Sequence, residues 1–522
     1  MTYFNPRLLL IPLLMLAACV HETASGKEYD VRSFGAIGDG KTLDSPAINR
    51  AIDTAASAGG GIVVLAAGRY LSGSIRLKND IHLKIDKGAV IVAEKWNSKS
   101  YDPTEPFTPP AYQDGGHCYF QNSLIWGENL KNVTISGGGM IDGSGLTSWE
   151  GDLNKKVGFG SGSEGFSPAQ PQNPGEPTYA ANKAISLKLC KNVVIRDLTI
   201  LKGGWFAILT TGCDKVLMEN LTIDTNRDGI DIDCCNNVVV RNCRVNSPYD
   251  DAICPKSTYV LGYTRLTENL LIENCQVSGF MVGTLLDGSL KPDPKDHRNG
   301  RIKFGTEATG GFRNCVVRDC VFLSSMGFTL QQVDGGILEN IEVSNLRMKD
   351  VKNYALYIVT GERNRTPDRT AVSRMKNVRI SNVVAEGVDK MSGIQIFGTL
   401  QQPIEGLKLE NINIISKGGG TAKDAARVPK DLGKQYPDPS GKGNMPAYGL
   451  FARHVKGLHL TNLSFTFESP DCRPVAKFEN IDGLTLDRFQ GQTGESLPVA
   501  IFAPDVRSVI AKDSPAVIIP SP

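Results

Sequence analysis

The sequence predicts an all-β solenoid, with parallel coils stacked along one axis and a short helix over the first of them. Three observations lead there. A pattern of alternating apolar residues, an Asn or Asp, then a second apolar pair recurs as Val193-Val-Ile-Arg-Asp-Leu-Thr-Ile, Val216-Leu-Met-Glu-Asn-Leu-Thr-Ile, Val238-Val-Val-Arg-Asn-Cys-Arg-Val and Leu270-Leu-Ile-Glu-Asn-Cys-Gln-Val. Val193 to Val216 is 23 residues and Val216 to Val238 is 22; the pattern returns at Val378, Leu407 and Leu458 after longer, inserted gaps. The chain has 522 residues, several times an ordinary domain, which a repeat accommodates without several separate cores.

Each element of that reading has a local cause. Alternation with a period of two turns successive side chains to opposite faces of a strand, so one set points into the coil. Asn and Gly recur where the chain must turn sharply, because both tolerate the left-handed region. A leucine-rich repeat would need regular Leu-x-x-Leu-x-Leu spacing, and a propeller a period nearer forty residues. Asp44-Ser-Pro-Ala-Ile-Asn-Arg-Ala-Ile-Asp53 reads as an amphipathic helix with a polar cap and a proline in its first turn, its Ile48 and Ile52 on one face to cover the first coil. Insertions are expected near 98–180, Gly-, Ser- and Pro-rich around Gly158 to Pro177, and from Lys417 to Pro446; loops of that length can wall one end of a groove.

Composition excludes other classes. With 41% hydrophobic and 21% charged residues and a formal net charge of +2, the chain is neither disordered nor a nucleic-acid binder carrying a basic stripe. Arg7 precedes an apolar run, Leu8 to Ala18, too short to span a bilayer comfortably, and Leu16-Ala-Ala-Cys19 resembles the bacterial lipobox. The expectation is an export signal over 1–19 with lipidation of Cys19, a linker over 20–27, and a solenoid over 28–522 held at a membrane surface outside the cytoplasm. Of the twelve cysteines, Cys243, Cys275, Cys315 and Cys320 fall in repeat strands as small buried residues, and Cys234 with Cys235 lacks zinc-type spacing, so packing is the reading for them.

Further motifs resemble the opening and centre of the glycoside hydrolase family 28, or polygalacturonase, proteins. They are Tyr29-Asp-Val-Arg-Ser-Phe-Gly-Ala-Ile-Gly-Asp-Gly, Gly59-Gly-Gly-Ile-Val-Val, Asn132-Val-Thr-Ile-Ser-Gly-Gly-Gly-Met-Ile-Asp-Gly143, Asn226-Arg-Asp228-Gly-Ile-Asp-Ile-Asp and Asp250-Asp251-Ala-Ile-Cys-Pro-Lys256-Ser. The resemblance runs from about Tyr29 to Phe489 and implies a single-stranded right-handed parallel β-helix that cleaves α-linked galacturonic acid in pectin or rhamnogalacturonan by inverting hydrolysis, without cofactor or metal. It also implies roles: Asp250 as general acid, Asp228 and Asp251 as the residues that hold and deprotonate water. The solenoid supports the same trio independently, since a repeat near 22 residues stacks position 228 beside 250 and 251, and crowded carboxylates cannot all ionise cheaply. An inverting pair is expected about 6.5–9.5 Å apart.

Two motifs depart from the family. Where it has Gly-His-Gly, this chain reads Gly300-Arg301-Ile302-Lys303-Phe304-Gly305-Thr306-Glu307, with His297 just upstream, and one coil later Thr329-Leu-Gln331 stands in place of Arg-Ile-Lys. Arg301 and Lys303 point the same way from a strand and either bind a uronate carboxylate or neutralise the aspartates. Lys256 and Tyr354 are further substrate-binding candidates by resemblance. Arg363, Arg365, Arg453 and His454 read rather as a solvated charged face, and His117 has no evident partner. The expected partner is an acidic plant-type polysaccharide, met by a monomer that binds no nucleic acid. Two other functions stay open: a uronate lyase with calcium on the three aspartates, and a non-catalytic surface glycan binder.

Overall fold

The computed structural model describes residues 26–106, 115–147, 181–494 and 497–514. The expected lipidation site Cys19, the whole segment 1–25 and the Gly158–Pro177 stretch lie outside the described residues.

Every pairing between named strands is parallel, and repeat copies stack in register. Val193 pairs with Val216, Val216 with Val238, Val238 with Leu270, and Leu270 with Cys315. The same column continues through Ile341, Val378, Leu407, Leu458 and Leu484. All of these are at most 2% exposed, and they run within one continuous apolar core. Cys315 in this column shows why cysteine suits the repeat: it fills a small inward site, as Cys243, Cys275 and Cys320 do beside it. Cys234 and Cys235 are buried as well.

The recurring Asn or Asp of each repeat makes the turn. Asp197, Asn220, Asn242, Asn274, Asp319, Asn345, Asn382, Asn411 and Asn462 all have φ between 52° and 57°. Side chains that tolerate this left-handed conformation also bond along the stack: Asn382 Nδ2 donates to Asn345 at 3.0 Å, Asn411 to Asn382 at 3.0 Å, and Asn462 to Asn411 at 2.9 Å. One residue type therefore satisfies both the turn and its polar atoms.

Helix α1 spans Ser45–Ser57, longer than the predicted stretch, with Pro46 in its first turn. Ile48, Ala51, Ile52 and Ala55 are buried against the first strands. Asp44 does not cap the helix through its side chain; it accepts instead from Ile37 N and Gly38 N at 2.7 and 3.0 Å, tying the preceding loop.

The site is set by a six-stranded sheet on one side of the solenoid: Ile75–Arg76, Ile125–Glu128, Lys183–Lys188, Phe206–Thr211, Asp228–Asp233 and Ile253–Lys256. A parallel bridge from Ile253 to Ile302 carries it on to Lys303–Phe304, Met326–Gln332, Lys352–Thr360 and Ile394–Phe397. The expected insertion after 417 follows strand Ile404–Gly418, and it lays Leu432 and Met445 over the outward Tyr357, Phe397 and Phe451 of this face.

If φ rather than the amide bonds alone decides the turn, Asn411→Gly must cost less than Asn411→Ala. Chemical denaturation is expected to show about 2 kcal/mol lost for Ala, from two ladder bonds and the left-handed penalty, and about half of that for Gly; equal losses would contradict it.

Candidate active site

Asp228 begins its strand, and Ile230 pairs with Ile253, so Asp228 lies beside Asp251 on the adjacent coil. The Asp251 amide then bonds two carboxylates at once, Asp228 Oδ1 at 3.2 Å and Asp250 Oδ1 at 3.1 Å. Asp228, Asp250 and Asp251 each present an oxygen within 4.8 Å of the others. This is tighter than the expected acid–base separation, because one shared amide draws two of the side chains together. Their exposures differ: the Asp250 side chain is 24% exposed, Asp228 4% and Asp251 1%. Only Asp250 faces solvent to a useful degree.

Each carboxylate faces at least one cation. Arg227 reaches Asp250 Oδ2 at 2.9 Å and lies over the Trp205 ring. Lys256 sits 3.4 Å from Asp228 and Asp231 and 3.6 Å from Glu307. Arg301 Nε donates to Asp251 Oδ1 at 2.6 Å, and Lys303 Nζ to Asp251 Oδ2 at 2.7 Å. Arg301 also donates to the Tyr354 hydroxyl at 2.6 Å, and that hydroxyl bonds Thr329 at 2.8 Å.

The consequences for protonation diverge. Burial would raise the Asp251 carboxyl, but Arg301 and Lys303 overcome it and hold the group well below the ordinary range, so Asp251 stays ionised. Burial, then the charges of Asp250 and Asp231, push Asp228 well above it, and the opposing pull of Lys256 is too small to reverse this. A proton is thus retained at Asp228. The raised carboxyl costs stability as pH climbs from the ordinary aspartate value toward the folded one.

This geometry corrects several expectations. Tyr354 is 0% exposed and Lys256 5%, so neither offers a free surface to a sugar: Tyr354 orients Arg301, and Lys256 links Asp228 to Asp231 and Glu307. Arg301 and Lys303 each bond one Asp251 oxygen, as the neutralising reading expects, and Arg301 bonds Tyr354 as well. Arg363, Arg453 and His454 do not form a solvated face. Arg363 is buried between Asp334 and Glu307, Arg453 pairs Glu479 and Asp431, and His454 lies 3.7 Å from Asp431. His117 has a partner after all, its Nε2 standing 3.3 Å from Asp231 Oδ2. Arg227, Glu307 and Tyr436 escaped the sequence reading. Arg227 alone carried a signal, adjoining Asp228 within Asn226-Arg-Asp.

The three aspartates are the one grouping of metal-type side chains found among the described residues. The donor set does not suit a divalent ion, because both Asp251 oxygens are occupied by Arg301 and Lys303, and Arg227 and Lys256 would face the ion directly.

A family model described as "Rhamnogalacturonase A/epimerase, pectate lyase-like" matches residues 29–253, and a "Right handed beta helix region" model matches 180–370. The chain is 25% identical over 403 residues to a Vitis vinifera protein named "Probable polygalacturonase", covering 73% of each chain. Its fold resembles that of the Yersinia enterocolitica family 28 exopolygalacturonase, with a TM-score of 0.64 at 19% identity over 90% of this chain and 79% of that one. The Thermotoga maritima exopolygalacturonase gives 0.59 at 19% identity, over 85% and 92%. The fold is therefore that of the right-handed parallel β-helix proteins. Within that fold, the chain is similar to polygalacturonases, among them the family 28 exopolygalacturonase above.

Because Asp251 is ionised only through its two cations, Lys303→Met is expected to destabilise the fold by about 3 kcal/mol. Adding Asp251→Asn should recover more than half of that loss in thermal melts; additive losses would show that the two side chains are not coupled.

Proposed function

We propose that the protein hydrolyses α-linked galacturonic acid residues from the end of a pectic or rhamnogalacturonan chain. The observation that carries this reading is the convergence, one coil apart, of a solvent-facing carboxyl, a buried proton-holding carboxyl and a carboxylate kept ionised. Asp250, the exposed member, delivers the proton to the leaving oxygen, and Asp228 keeps that proton available. Asp251 and Asp228 orient the attacking water, and once the resident proton has passed through Asp250 to the leaving oxygen, the ionised Asp228 takes the proton the water loses. Since the three oxygens crowd within 4.8 Å, the water binds against the cluster rather than in a gap between an acid and a distant base.

Similarity to polygalacturonases and exopolygalacturonases supports the hydrolase and its substrate class. Chain-end action is supported by the insertion after Gly418, which covers the outward face of the coils that follow the aspartates. A calcium-dependent lyase is the weaker alternative, given the cations around the trio. The site is held outside the cytoplasm by a lipid on Cys19, a reading that rests on the Leu16-Ala-Ala-Cys19 motif.

Asp250→Asn should fold normally and lower kcat on oligogalacturonides by about a thousandfold. Proton NMR of the first product formed is expected to show the inverted anomer; retention would instead assign a covalent role to one of the closely spaced carboxylates. Activity should be insensitive to chelators and yield saturated monomers. Because the needed proton sits on a group raised above the ordinary range, kcat/KM should hold below the raised pKa of Asp228 and fall as pH rises through it. Activity that continues to climb with pH would refute the assignment.

A further inference from the structure

We propose that Tyr436, carried by the insertion between Gly418 and Leu450, is the substrate-contacting wall that limits the groove to a single sugar beyond the aspartates. The inference rests on the chain-end reading above and gives it a residue.

Tyr436 is anchored from several sides. The Thr306 hydroxyl, which donates to Gln331 Oε1 at 2.8 Å, stands 2.9 Å from the Tyr436 hydroxyl. Gln331 Nε2 donates to Pro437 O at 3.3 Å, and Glu362 N to Gly433 O at 3.0 Å. The Arg363 guanidinium lies 5.7 Å from the ring centroid. The base of the insertion is fixed too, Arg453 donating to Pro429 O at 2.7 Å and Met445 N to Met391 O at 2.8 Å. Despite these ties, Tyr436 is 42% exposed, while Arg301, Lys303, Tyr354 and Arg363 around it are at most 9% exposed. An aromatic ring held at its hydroxyl and open on its body is what a sugar's apolar face can stack against.

Its position along the solenoid sets the length of the groove. Thr306 follows the strand Lys303–Phe304, which comes directly after the coil of Asp251, and Gln331 is on the next strand. Neighbouring coils lie about 4.8 Å apart, and a pyranose unit with its linkage is of similar length. Tyr436 belongs to the electrostatic surroundings of both Arg301 and Lys303. One coil step separates Asp251 from the strand that leads to Thr306, the Tyr436 anchor, a spacing that matches a single sugar and would make each cut release a monomer.

The test compares the parent with Tyr436→Ala and Tyr436→Phe on galacturonate oligomers of increasing length, with product sizes, KM and kcat read separately. Tyr436→Ala should raise KM about tenfold, the loss of one aromatic stacking contact, and let mid-length products appear from long chains. Tyr436→Phe keeps the ring and should restore the monomer-only pattern. Binding gives a readout independent of turnover: calorimetry with digalacturonate on Asp250→Asn, repeated after adding Tyr436→Ala, should show about tenfold weaker affinity. A parent that yields a ladder, or an Asp250→Asn protein that does not bind digalacturonate, overturns the chain-end or substrate reading itself. Parent monomers with an unchanged pattern, KM and affinity in Tyr436→Ala overturn only the role of Tyr436.

Discussion

In-register parallel stacking of successive coils is the constraint on which everything else depends. It places Asp228 beside Asp251 through the pairing of Ile230 with Ile253, and it brings Arg301 and Lys303 onto the next coil through the bridge from Ile253 to Ile302. Asp228, the pair Asp250 and Asp251, and the pair Arg301 and Lys303 are far from one another in the chain. A slip of one residue would turn the outward carboxylates into the apolar interior. The continuous inward column from Val193 to Leu484 makes that slip prohibitively expensive.

Stacking like residues also gathers like charge, and the fold offsets it with cations supplied from other coils. Asp251 accepts from two of them, so it is a fixed negative charge rather than a titrating base. Asp228 receives one distant ammonium shared with Asp231 and Glu307, too little to compensate its burial. The difference between one shared cation and two dedicated ones separates a proton holder from a permanent anion. Three chemically identical side chains acquire different tasks from their neighbours alone.

The parallel solenoid was legible because its signal is periodic: alternation, the Asn turn and the spacing of Val193, Val216 and Val238 all repeat. The aspartate trio was legible for the same reason, one repeat separating Asp228 from Asp250. What failed to show was whatever periodicity does not encode. Burial of Tyr354 and Lys256 depends on neighbouring coils and on the insertion laid over them, so both looked like substrate contacts. Arg363 and Arg453 looked like surface charge because their partners, Asp334, Glu307, Asp431 and Glu479, lie at separations with no common period. His117 meets Asp231 across 114 residues, and Tyr436 meets Thr306 across 130; both sit in insertions, where no repeat predicts a partner.

The central claim is that stacking leaves one proton resident on Asp228 in the resting protein. Infrared difference spectroscopy of the parent against Asp228→Asn at neutral pH tests it most directly. The account predicts a protonated-carboxyl C=O band in the parent that disappears in Asp228→Asn and shifts in Asp250→Asn. Identical spectra in that region, with every carboxyl of the trio ionised, would contradict it.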